Sequence, residues 1–333
     1  MPPFRPAPLL QGAGLQTVTA RFIRVPSPAR SLPSERIEVE VEPGERILLA
    51  RTRSRGRPRG RLILLHGLAG CADSPQLRFT LAAAHTRGWE VLRVNARRSG
   101  DGMRLSRHLP HAGRWSDLGA VLAKPVWTPE AAGRPLVAVG FSLGGAVLLR
   151  YLAETGPACP VDAAVAVNPP TDLAWCLREL ERPGNFLYHL YFTCALCRAM
   201  RRRSHLYPRD YRPPGRWRHR SVRALDTDYV APDAGFTSAE AYYAACSAGP
   251  LLGGIQVPSL VLSSQDDPFI PWQMLRRDIP AGRAVKLRLL PRGGHVGYVE
   301  RSGLWLSFWA ARAVLDAAQE LLHGPVGDSP SIW

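Results

Sequence analysis

The 333-residue chain is 46% apolar, enough for one mixed α/β unit to bury a core without disulfide support. Its six irregularly spaced cysteines are no disulfide framework, and with no secretory signal in view a reducing cytoplasm is expected. The formal net charge of +16 is nearly all arginine, but the arginines are dispersed and no nucleic-acid-binding motif accompanies them, which argues against a specific nucleic-acid partner.

A solvated basic surface is the simplest reading of that charge, with transient contact to an anionic membrane, peripheral to it, as the alternative. The proline-rich start, Met1 to Gly12, has no apolar stretch of signal-peptide length. No run reaches the roughly 18 apolar residues that a spanning helix needs. Residues 1–35 are expected to form an extension packed on the core.

β-Type runs follow at Ile37–Val41 and Ile47–Ala50, with Glu42-Pro43-Gly44-Glu45 between them as a hairpin turn. Leu62–Leu65, Val91–Val94, Leu136–Val139, Ala164–Val167, Leu260–Leu262 and Val285–Leu290 are nearly continuous in branched apolar residues, as in strands covered on both faces. Helical patterns at Leu77–His85, Ser116–Leu122, Gly144–Glu154 and Gly303–Leu322 alternate with them. This order predicts an α/β fold: a mainly parallel eight-stranded sheet with an antiparallel start and helices on both faces.

The connection between the sixth and seventh strands is too long for a simple loop. It carries apolar helical stretches at Leu173–Leu180 and Leu187–Met200, then a proline- and arginine-rich passage at Arg201–Arg220. We expect a core of residues 36–168 and 256–323, a helical cap at 169–255 over the catalytic end of the sheet, and a tail at 324–333. The run Arg201-Arg202-Arg203 reads as a solvated helix end.

The chemistry starts at Gly140-Phe141-Ser142-Leu143-Gly144, between the strand Leu136–Val139 and the helix Gly144–Glu154. A G-x-S-x-G elbow in that setting holds a serine on a sharp turn, at the positive end of a helix. A serine hydroxyl needs a base, and His295 in Arg292-Gly293-Gly294-His295-Val296-Gly297 stands after the last strand. The orienting acid is sought after the penultimate strand, where Asp266-Asp267-Pro268 offers two carboxylates. Pro268 holds Asp267 extended, and spacing favours it too, so Asp267 is the expected acid and Asp266 a turn cap. The backbone N–H groups of Leu68, in His66-Gly67-Leu68-Ala69-Gly70, and of Leu143 are the expected oxyanion donors. His66 itself reads as a positioning element.

Cys194-x-x-Cys197 lacks a second pair and reads as core packing, and His108-x-x-His111 reads as structural. With no phosphate-binding loop or dinucleotide fingerprint, no cofactor or metal is implied. The constellation predicts a serine hydrolase that cleaves carboxylic esters through an acyl-enzyme. An alcohol O-acyltransferase with the same triad, or a binding protein whose triad is vestigial, stays open as an alternative.

Several stretches resemble the YheT-like group of α/β-hydrolases, which is similar to the abhydrolase-domain phospholipases and the yeast medium-chain ester synthases. They are Pro3-Phe4 with Leu15-Gln16-Thr17, Leu65-His66-Gly67-Leu68 running to Ser74-Pro75, and Gly140-Phe141-Ser142-Leu143-Gly144-Gly145. Further on come Val161-Asp162-Ala163-Ala164-Val165, Tyr242-Tyr243 with Cys246-Ser247, Asp266-Asp267-Pro268-Phe269, and Gly293-Gly294-His295-Val296-Gly297. The resemblance implies the α/β-hydrolase fold, the same three residues (Ser142, Asp267 and His295), and short- to medium-chain acyl or lipid esters as substrates. Two places depart from the group's pattern. Gly14 stands where it usually has a histidine before Leu-Gln-Thr, and Asn95-Ala96-Arg97-Arg98-Ser99-Gly100 is one residue shorter than its counterpart.

Overall fold

The computed structural model describes residues 1–25, 31–282, 284–303 and 305–323; the expected tail at 324–333 lies outside them. Eight strands form one sheet: β1 (Glu35–Glu42), β2 (Glu45–Thr52), β3 (Gly60–Leu65), β4 (Trp89–Val94), β5 (Leu136–Phe141), β6 (Ala163–Val167), β7 (Ser259–Ser264) and β8 (Val285–Leu290), in the order β1-β2-β4-β3-β5-β6-β7-β8. β1 pairs antiparallel with β2, and β2 antiparallel with β4. From β4 to β8 every pairing is parallel. All eight strands contain the runs expected from the sequence.

Parallel pairing needs crossovers, and the crossover helices cover both faces. The strands divide their side chains accordingly. Ile63 and Ala138 join a cluster with Leu118 and Val121 of α3 (Trp115–Leu122) and Leu148 and Leu152 of α4 (Leu143–Thr155). Their neighbours Leu62, Leu64, Val137 and Val139 join the opposite cluster, with α2 (Pro75–Thr86) and the C-terminal helix. That two-residue period is why these strands read as unbroken apolar runs.

The last helix starts later than its sequence pattern suggests. Val299–Ser302 and Trp305–Phe308 instead form a small antiparallel hairpin, β9 and β10, with Trp305 opposite Ser302. Gly303 turns it at φ +61°, a conformation open to glycine and suited to a two-residue hairpin loop. The final helix therefore spans only Ala310–His323. Apolar residues at 305–309 fit either period, and the turn decided between them.

An unforeseen helix, α1 (Ala13–Phe22), lies near this hairpin. Gln16 is wholly buried and clamps the two segments: its Nε2 donates to the Leu10 and Val299 carbonyls (2.6 and 3.0 Å), and its Oε1 accepts from Val299 N–H (2.6 Å). Phe4 packs on Tyr298 and Trp309, ring centroids 5.6 and 5.3 Å away.

Between β6 and β7 the chain forms α5 (Leu173–Leu180), α6 (Phe186–Leu206) and α7 (Val222–Leu225). A π-helical turn (Asp226–Val230), α8 (Ala231–Asp233) and α9 (Ala239–Cys246) follow. Asp172 and Ser238 cap α5 and α9 by accepting Trp175 and Ala241 N–H. The basic run corrects the expectation of a fully solvated helix end: Arg201 and Arg202 are exposed, but Arg203 is buried. Its guanidinium stacks 3.5 Å from the Tyr211 ring centroid, because the passage after α6 folds back over it. Cys197 packs with Met200, Leu225 and Tyr229.

Candidate active site

Ser142 lies between β5 and α4 with φ +51°, strain on the order of 1–3 kcal/mol for a residue with a side chain. The turn can be that sharp because Gly144 and Gly67, packed closely around it, lack side chains. A methyl on Gly144 would sit 2.5 Å from the His66 carbonyl oxygen, and one on Gly67 would sit 3.0 Å from Ser142 Cβ. The loop after β3 thus presses against the serine. The N–H groups of Leu68 and Leu143 make no hydrogen bond among the described residues. Both residues line one cavity with Ser142.

His295 stands in the loop after β8. Its Nε2 is 2.8 Å from Ser142 Oγ, and its Nδ1 is 2.9 Å from Asp267 Oδ2. The three side chains, 125 and 28 residues apart in sequence (267 − 142 and 295 − 267), form one hydrogen-bonded line. Gly294 passes so close to α1 that a methyl there would lie 2.5 Å from the Ala13 carbonyl oxygen, and its φ of +58° suits glycine. The helix grips the loop directly, since Thr17 Oγ1 accepts His295 N–H at 2.9 Å.

The Asp267 carboxylate is wholly buried and fully coordinated. Oδ1 accepts the N–H groups of Phe269 and Ile270 (3.0 and 2.9 Å), and Oδ2 accepts from Asn168 Nδ2 (2.6 Å) besides His295. Four donors compensate the cost of burying its charge. Asp266 instead accepts Gly294 N–H at 2.8 Å, so the two adjacent carboxylates have different tasks. Asn168, at the end of β6 with φ +48°, was not foreseen. Its Oδ1 accepts from Tyr298 Oη at 2.9 Å, which fixes the amide's orientation toward Asp267.

His66 makes two ring contacts: Nε2 accepts Ala96 N–H at 3.1 Å, and Nδ1 faces the Gly67 carbonyl at 2.8 Å. Nδ1 therefore carries the proton, and burial pushes the pKa below that of a free imidazole. The ring is held neutral and props the loop. His111 is similar: Nδ1 accepts Gly113 N–H at 3.0 Å. Burial, aided by Arg114 and Arg97, pushes its pKa down to about 3.

A cavity of about 650 Å³ runs from Ser142 under α5–α9, within the size range of small-molecule sites. Its walls are mostly apolar, including Leu173, Leu177, Phe192, Leu196 and Val222. Phe269 connects this lining to the site. It packs 4.1 Å from the His295 ring and edge-on to Phe192 of α6. Besides the exposed Asp73, Asp226 is the carboxyl that lines this cavity among the described residues. It accepts Tyr243 Oη at 2.7 Å, and desolvation raises its pKa to about 7.

The model of the Alpha/beta hydrolase family matches residues 62–305, nearly three quarters of the chain. The chain belongs to the alpha/beta hydrolase family. YheT of Escherichia coli (strain K12), an esterase by name, is 33% identical over 261 residues, covering 77% of this chain and 75% of that protein. Phospholipase ABHD3 of Mus musculus is 26% identical, over 73% of this chain and 59% of the relative. Medium-chain fatty acid ethyl ester synthase/esterase 2 of Saccharomyces cerevisiae is 26% identical, over 77% and 61%. This alpha/beta hydrolase thus spans about three fifths of those two longer relatives. Among solved structures, the 2,6-dihydroxy-pseudo-oxynicotine hydrolase superposes with a TM-score of 0.60 at 16% identity, covering 96% of this chain and 74% of that one. The Pyrococcus furiosus esterase Pf2001 superposes with a TM-score of 0.53 at 16% identity, over 83% and 90%. These likenesses show the α/β-hydrolase fold.

Proposed function

We propose that this alpha/beta hydrolase is a serine hydrolase that cleaves carboxylic esters, of short- to medium-chain acyl groups or lipids, through an acyl-enzyme. The observation carrying this reading is the line from Ser142 Oγ through His295 to Asp267, with contacts of 2.8 and 2.9 Å. With Nδ1–H donated to Asp267, His295 Nε2 is free to accept the hydroxyl proton. Ser142 Oγ attacks the ester carbonyl carbon as that proton moves to Nε2, and the oxyanion takes the N–H groups of Leu68 and Leu143. Nε2 then returns the proton to the departing alkoxide, which leaves as the alcohol. Water attacks the acyl-Ser142 with the same proton relay, releasing the carboxylic acid and the free serine.

The esterase and phospholipase names of the relatives support an ester substrate, and the apolar cavity suits an acyl chain. The yeast relative is named as both synthase and esterase, which supports a second reading: an alcohol in place of water in the second step. Ethyl ester formed from an acyl donor and added ethanol would reveal it.

A fluorophosphonate probe tests the nucleophile. Labelling is expected for the parent and lost in Ser142→Ala, and persistent labelling of the variant would overturn the assignment. A series of p-nitrophenyl esters from acetyl to palmitoyl then reads the acyl length.

A further inference from the structure

Exposed large apolar residues gather at one place. On α1, Leu15, Val18 and Phe22 are solvent-exposed at i, i+3 and i+7, so they form a stripe along one helix face. On α6, Phe186, Leu187, Leu190 and Tyr191 do the same over the first two turns. Phe22 is 70% and Leu187 75% exposed. The two helices touch: Arg21 Nε donates to Tyr191 Oη at 2.8 Å, and Gly14 lies against Tyr188 Oη. The stripes therefore lie on adjoining helices, where apolar exposure on this scale marks a binding surface.

The charges on the two helices themselves carry one sign. Neither helix contains an acidic residue, and α6 continues past its apolar turns to Arg198, Arg201 and Arg202, all exposed. Arg21, Phe22, Tyr191, Arg198 and Arg202 also line the cavity that reaches Ser142. The patch thus borders that cavity through Phe22 and Tyr191, and the exposed Asp73, paired with Arg78 and Arg93, lines it as well. Among the described residues, no helix is long and apolar enough to cross a membrane.

We infer that the paired faces of α1 and α6 dock this protein on an anionic lipid bilayer, the apolar stripes in the acyl–headgroup boundary and the arginines against lipid phosphates. Apolar insertion combined with basic residues is what holds a helix in the plane of such an interface. The charge selects this occupant over a second copy of the chain: a two-fold contact would bring each arginine set against its own kind, with no carboxylate on either helix to compensate. Docking there would leave the cavity opening to the lipid, so an ester dissolved in the bilayer reaches Ser142 without crossing water.

Binding does not depend on the esterase reading, so it is measured on the full-length Ser142→Ala protein, which also leaves the vesicles intact. The assay is co-sedimentation with vesicles of phosphatidylcholine alone, or of phosphatidylglycerol and phosphatidylcholine in equal parts. The expected result is binding to the mixed vesicles that weakens in high salt, with weaker binding to phosphatidylcholine alone. Replacing Leu187 and Leu190 by serine should weaken binding to the mixed vesicles at least about tenfold. Arg198→Glu with Arg202→Glu should remove the preference for anionic vesicles. These side chains are exposed, so both double variants should keep the parent's melting temperature. The inference is overturned if neither vesicle is bound or if binding ignores both pairs of substitutions. Sedimentation velocity showing a dimer that the leucine pair dissociates would also overturn it, assigning the patch to a second copy.

Discussion

The end of the sheet and the chamber above it treat buried polar groups in opposite ways. At the strands' C-terminal ends Asp267 has four donors, Asn168 is held by Tyr298, and His66 has both ring nitrogens engaged. Under α5–α9, Asp226 has one hydrogen-bond partner among the described residues, Tyr243. Behind the lining, Arg203 has no hydrogen bond from its three guanidinium nitrogens among the described residues and relies on Asp233, 3.7 Å away, and on the Tyr211 ring. A fully satisfied network is rigid and holds geometry; a sparsely satisfied one leaves its buried groups more sensitive to their protonation state. The first region is built to position atoms, while the second holds its polar groups by fewer contacts.

The sharpest way to break this contrast is at Asp267. Asp267→Asn should lower kcat for a p-nitrophenyl ester by roughly 10³–10⁴-fold, because the amide cannot hold the same imidazole tautomer. A fall under tenfold would mean that the coordination at this carboxylate serves stability alone. Next comes the grip of α1 on the histidine loop. Thr17→Val keeps the shape and removes the acceptor for His295 N–H, so kcat should drop about tenfold with KM nearly constant, as small misplacements cost rate before binding. Steady-state kinetics separates the two parameters.

The chamber responds to pH instead. Burial raises the folded pKa of Asp226 from its ordinary 3.8 to about 7, with Arg223 opposing and Glu181 reinforcing. Its proton therefore favours the folded state: that contribution is complete below 3.8 and lost as pH rises through about 7. Asp226→Asn should raise the melting temperature at pH 8 by at least about 3 °C and progressively less toward pH 5, as read by differential scanning calorimetry. The smallest effect is expected at His66. His66→Asn should leave the acidic limb of the pH–kcat/KM profile unmoved, because a ring already neutral contributes no titration there.

Much of the sheet could be read locally, since apolar runs, turn chemistry and chain order are written in adjacent residues. The serine elbow and the glycine-flanked histidine were legible for the same reason: each needs a special backbone within a few residues. The contacts between distant segments were not. Gln16 meets Val299 and Thr17 meets His295 across more than 270 positions (299 − 16 = 283; 295 − 17 = 278), and no local pattern marks such a partner. Asn168 looks like an ordinary strand end until Asp267 and Tyr298 arrive beside it. Residues 303–309 fall within the helical pattern expected from Gly303 because a short apolar run suits both periods, and the turn at Gly303, with the packing of the hairpin on α1 and α2, separates them.

The sequence by itself determined the strand order's character, the elbow, and the identity of the serine, histidine and acid candidates, because steric rules and short-range hydrogen bonding act between neighbours. The sequence favoured Asp267 over Asp266, and the tertiary structure sets Asp267 against His295. Tertiary structure also gathered Arg21, Arg198 and Arg202, dispersed in the chain, beside an apolar face that borders the cavity. Those outcomes depend on distances between elements, and such distances exist only once the helices and the sheet have packed.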